Sequence, residues 1–198
     1  MAVTRILLPG LVISVVLSLG PMADDGGSSS ASWDAVVSSD SLFRDDSDMA
    51  LTEWALGRFD QAGLRLRSIS FSFHDEKSPC QGQNGYFHSG EPHQVDICGF
   101  NWDRFLVTPR KVILHELAHT WVHDNLSEPA RQDFLDLRDL ELWSEDGATW
   151  GEQGMEHAAE IMAWRLMDEE VSMTSIGDTD QSSLADAYQL LTGSGFVS

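Results

Sequence analysis

Val112-Ile113-Leu114-His115-Glu116-Leu117-Ala118-His119-Thr120-Trp121 decides how the rest of the chain is read. Apolar residues fill this stretch except at His115, Glu116, His119 and Thr120, so it reads as a helix crossing a core. Pro109 opens that helix, where its missing N–H costs nothing. His115 and His119, four apart, lie on one face a turn apart, and both imidazoles can reach a single ion. Glu116 is offset around the helix and is placed to hold a water beside the metal instead of binding it. Zinc lowers the pKa of such a water toward ~7, and the carboxylate takes its proton during attack on a carbonyl, then passes it to the leaving amine. The apolar flanks matter physically, because the helix must be buried for its ligands to face a cleft.

A catalytic zinc site needs a third protein ligand. His123 lies four residues beyond His119. It stands eight residues from His115, about 12 Å along the axis, so one ion cannot serve all three; it reads as a helix-end histidine. The metzincin pattern would require Gly at 122 and His at 125, where this chain has Val122 and Asn125. Downstream, Glu156-His157-Ala158-Ala159-Glu160 opens another helix with both glutamates on one face. Small residues at 158, 159 and 163 let that helix approach closely. Glu156 can bind the zinc, and Glu160 can accept a hydrogen bond from the outer nitrogen of His115 or His119, fixing the ring and raising its basicity.

His-Glu-x-x-His followed by Glu-x-x-Ala-Glu resembles the gluzincin group of zinc metallopeptidases, and locally the catalytic domain of anthrax lethal factor. The likeness covers residues 112–122 and 154–167. It implies a zincin-like fold, Zn2+ held by His115, His119 and Glu156, a general base at Glu116 and a supporting carboxylate at Glu160. It also implies a tyrosine shortly before Glu156, to stabilise the oxyanion. Here that stretch is Ala148-Thr149-Trp150-Gly151, which leaves Tyr86, His88 or His157 for the role, or no donor at all.

Working outward, Asp48 is placed to cap a helix through Gln61, with Gly63 as its C-cap. Leu64, Leu66, Ile69, Phe71 and Phe73 recur mostly at period two, a strand with one buried face. Residues 79–90 form a loop with a short extended piece at Tyr86-Phe87, and residues 94–98 alternate as another strand. Further helices are predicted from Glu128 or Pro129 to about Leu142, from Glu152 or Met155 to Glu169, and from Gln181 to Leu191. This order, without βαβ repetition, is α+β: a small, mostly antiparallel sheet with an active-site helix and further helices. Val95 to Cys98 or Tyr86-Phe87 could be the edge strand that pairs with an extended peptide substrate. Trp121, Trp143, Trp150 and Trp164 read as core and cleft-wall residues.

The formal charge of −20 excludes nucleic acid as a partner and disfavours anionic lipid. Arg5 followed by the apolar residues 6–19 reads as a secretory signal peptide ending near residue 23. Gly, Ser and Asp dominate residues 24–40, a flexible leader, and the peptidase domain is expected over 41–198. Cys80 and Cys98 are the only cysteines and read as one disulfide of an oxidising compartment. The expectation is a secreted monomer, without stable membrane association after signal cleavage, that hydrolyses a peptide or protein substrate. The alternatives are an extracellular binding protein that keeps zinc for stability, and hydrolysis of a non-peptide amide.

Overall fold

Thr108 accepts a hydrogen bond from the Lys111 N–H and Pro109 follows it, so the central helix α2 (Pro109–Asn125) starts where proline at its first turn predicts. In this computed structural model residues 36–99, 108–145, 147–168 and 176–193 are described. The expected signal peptide, and the leader up to residue 35, lie outside them. The other elements are α1 (Asp46–Gln61), β1 (Ile69–His74), β2 (Gly85–His88), β3 (His93–Cys98), α3 (Glu128–Arg138), a 3-10 turn (Trp150–Glu152), α4 (Gly154–Leu166) and α5 (Gln181–Thr192). The fold class is α+β, with five helices and one three-stranded sheet among the described residues.

That sheet is mixed, in the order β1-β3-β2, and not mostly antiparallel. β2 pairs with β3 antiparallel, but β1 runs parallel to β3 with Ile69 opposite His93. Parallel pairing is possible because β2 and its loop intervene as a crossover. The strand read from residue 64 begins only at Ile69, because residues 64–68 have no ladder partner. Residues 36–38, assigned to the leader by composition, instead run along β1: Ser38 N–H donates to Ile69 O (2.8 Å) and Ile69 N–H to Val36 O (2.7 Å). The folded domain therefore begins before residue 41.

Helix ends also shifted where a side chain found another use. Asp45, not Asp48, caps α1. Asp48 is buried and takes three hydrogen bonds from Arg44. α3 stops at Arg138 because Asp139 turns left-handed (φ 52°). Gly63 (φ 72°) follows α1 as the turn requires.

α2 is the spine of the core. Ile113, Leu114, Leu117 and Ala118 are fully buried, each large one contributing about 1.5–3 kcal/mol on burial. On one side α2 packs against the sheet and α1; on the other it meets α4 in the most extensive helix pairing of the fold. The small residues Ala158, Ala159 and Ala163 are fully buried in α4 and permit that approach. The Cys80–Cys98 disulfide is formed and ties the loop before β2 to the end of β3. Among the described residues no helix is long and apolar enough to cross a membrane.

Candidate metal centre

Burial of Ile113, Leu114, Leu117 and Ala118 turns the polar face of α2 into a cleft of about 610 Å³, lined among others by His115, Glu116, His119, Glu156 and Glu160. Three atoms converge there. His115 Nε2 and His119 Nε2 are 3.1 Å apart, and Glu156 Oε2 lies 3.1 Å from the first and 3.4 Å from the second. This trio can hold a metal ion. The rings stand nearly perpendicular (86°), each held by an aromatic plane: Trp150 stacks on His115 and Phe87 on His119.

The trio calls for a positive charge. His115 Nδ1 faces Glu160 Oε2 at 3.4 Å; with the proton there, Nε2 points a lone pair at the Glu156 carboxylate. Without a cation between them the site takes up a proton instead. Burial alone would lower the His115 pKa, but hydrogen bonds to Glu156 and Glu160, with the charge of Glu116, raise it to about 10. Burial likewise pulls Glu156 upward, and the two histidines overcome it and hold the carboxyl far below its usual range. His119 Nδ1 is buried with no hydrogen-bond partner.

Glu160 lies on the outer side of His115, where the sequence spacing suggests it. Its own partner was not read from the sequence: Lys111, buried within the apolar run, forms an ion pair with Glu160. Burial would raise the Glu160 carboxyl, but the His115 hydrogen bond and Lys111 keep it low. The readable signal was a lysine one turn before His115, directly ahead of the apolar Val112-Ile113-Leu114.

Glu116 is buried beside the trio. Burial pushes its carboxyl up, against the pull of His115 and His119, and Glu156 and Asp96 push the same way. The backbone of β2 passes directly over it: a Cβ on Gly85 would sit 2.5 Å from Glu116 Oε1. Alternation along β2 sends Gly85 and Phe87 toward α2, and Tyr86 and His88 to the other face. There the Tyr86 ring packs on His88, and His88 Nε2 meets Asp96 Oδ2 at 2.9 Å. His157 is spent on the Gly151 carbonyl (2.9 Å). Of the three residues considered for the oxyanion, only Tyr86 belongs to the cleft lining. The cleft lining also includes the amides of Gln81, Gln83, Asn84 and Gln153.

His123 stays apart from the trio, in the last turn of α2, hydrogen-bonded to Asp124 (3.2 Å). No protein-family model, no curated protein and no solved structure matches this chain.

Proposed function

We propose that the chain is a secreted zinc-dependent peptidase of the gluzincin kind, with a zincin-like fold, cutting peptide bonds in peptide or protein substrates. The observation that carries this reading is the convergence of His115, His119 and Glu156 beside Glu116. Donors 2.0–2.1 Å from a tetrahedral ion stand about 3.3 Å from one another. The three edges of the trio, 3.1, 3.1 and 3.4 Å, are of that size. Two imidazoles and one carboxylate also form the donor set of a catalytic zinc, which leaves a fourth position open.

Zinc held there would polarise the scissile carbonyl and acidify an attacking water. The protein does the rest. Glu116 takes the proton of that water on its carboxylate and returns it to the leaving nitrogen; its burial, which raises its pKa, favours holding that proton in between. Glu160, held by Lys111, accepts the His115 Nδ1–H and fixes that ring. Trp150 and Phe87 hold the two ring planes. β2, a sheet edge lining the cleft, offers its backbone to an extended peptide. The disulfide supports export to an oxidising compartment.

The test is incubation of the purified domain with a diverse peptide pool, with and without chelator, beside Glu116→Gln. Cleavage is expected to vanish with chelator, and with Glu116→Gln at full zinc content. Cleavage surviving both, or a protein with no stoichiometric zinc, would sink the proposal. A second reading, a zinc-stabilised binding protein with little turnover, is favoured by the packing of the Tyr86 ring on His88. The same pool separates them, since it would then show capture without cleavage.

A further inference from the structure

One turn beyond His119, a second set of ligand-type side chains gathers between the end of α2 and the start of β3. Asp124 Oδ1 lies 2.9 Å from His93 Nε2 and 3.2 Å from His123 Nδ1. One ligand atom from each of the three residues lies within 4.8 Å of the others. His93 is buried, Asp124 half-buried and His123 exposed, so the set has an anchored inner side and an open outer side. It opens into a surface cavity of about 650 Å³, separate from the cleft, whose walls include Arg67, Ser89 and Glu91.

We propose that His93, His123 and Asp124 form a second metal site, for a zinc-class ion. Two imidazole nitrogens and one carboxylate oxygen suit zinc, cobalt, nickel or copper, and not calcium or magnesium, which take oxygen ligands. The distances of both nitrogens to Asp124 Oδ1 lie near the ~3.3 Å edge of a tetrahedral shell. Arg67 Nε stands 3.5 Å from the other oxygen, Oδ2, where it steadies the carboxylate and leaves Oδ1 to the ion. The open side leaves room for water to complete the shell.

One contact opposes the ion and sets its strength. The Gly90 N–H points at His93 Nδ1 over 3.4 Å, which suits a ring protonated on Nε2. Ligation through Nε2 moves the proton to Nδ1 and breaks this long hydrogen bond. With one ligand exposed as well, this site is the weaker of the two.

Phe87 joins both places. Its ring stacks on His119 and meets His93 and His123 edge-on, at 5.4 and 5.8 Å. An ion on His93 and His123 therefore fixes the aromatic wall behind a ligand of the first site.

The test is zinc stoichiometry by equilibrium dialysis against a zinc buffer, with excess calcium to occupy ordinary carboxylates. The full chain is compared with His123→Gln and with His123→Gln/Asp124→Asn. His123 is exposed, so its replacement leaves the fold intact, which a melting curve checks. The expected result is two equivalents in the parent and one in each variant. His115→Gln/His119→Gln should retain the other one. The proposal is overturned if parent and His123 variants bind the same number of ions. Because the readout is the difference between them, it holds whether or not the first site binds zinc or cleaves peptides.

Discussion

Replacing Gly85 by Ala isolates the contact between β2 and Glu116. The backbone at Gly85 is not in the left-handed region, so alanine meets no conformational strain there; its lower unfolded-state entropy favours the fold by about 0.4–1 kcal/mol. The new methyl group, however, falls 2.5, 2.6 and 2.8 Å from Oε1, Cγ and Cδ of Glu116. Ordinary carbon contacts begin near ~3.5 Å, so something must give by nearly 1 Å. The strand is pinned, with Gly85 opposite Ile97 in the ladder and Asn84 O accepting from Cys98 N–H. The helix is pinned too, by Leu117 and Ala118 at 0% exposure. What yields is the side chain of Glu116, the proposed base. A misplacement of about 1 Å costs about 100-fold in catalysis, while swinging one side chain costs the fold about 1–3 kcal/mol. The assay is kcat/KM on a peptide found in the pool, with zinc content by mass spectrometry and a thermal melt. Gly85→Ala is expected to keep its zinc, melt within several degrees of the parent and lose about two orders of magnitude in kcat/KM. Activity within threefold of the parent at full zinc would refute the reasoning, because Glu116 could then move without consequence.

Glu156→Gln should lower zinc affinity by at least 10-fold through loss of the charged ligand; dialysis against zinc buffers measures it. Lys111→Met leaves buried Glu160 with His115 as its remaining cation and should destabilise the metal-free protein in urea by less than the ~3–5 kcal/mol of a fully unpaired buried charge, with Lys111→Met/Glu160→Gln recovering most of the loss. In chelator, the raised His115 pKa contributes stability that is complete below its ordinary 6.5 and is lost as pH rises toward about 10. The depressed Glu156 pKa contributes stability present above its ordinary 4.5 and lost as pH falls below it. The metal-free melting temperature should therefore fall between pH 7 and 10, and His115→Gln should flatten that decline; a decline of equal depth in the variant would count against the assignment.

Much of the candidate metal centre was legible because helices convert spacing into direction. His115 and His119 mark one line on α2, Glu156 and Glu160 a second line on α4, and Ala158, Ala159 and Ala163 announce that the two lines meet. The start of α2 was legible for a local reason, the fixed φ of Pro109. What escaped depends on partners distant in sequence. Nothing in the alternation of residues 64–73 states that only its second half finds a ladder, nor that this ladder is parallel. Val36 and Val37 were hidden inside a Gly/Ser-rich composition, although two valines suffice to extend a sheet. His93 and Asp124 are 31 positions apart in the chain, so their meeting is a property of the fold. The orientation of Tyr86 follows from Gly85 facing Glu116, a contact no spacing rule contains.

The sheet is also asymmetric in how its borders are finished. Residues 37 and 42 bridge to β1 and cover that border, whereas β2, among the described residues, pairs only with β3. An uncovered strand invites self-association into larger β assemblies, and proteins limit that hazard by keeping such strands short. β2 has four residues and ends at His88, half of whose ring is in solvent. The border proposed to receive a peptide is thus also the place where copies of the chain would stick to one another. Lengthening β2 to widen the groove would trade solubility for recognition.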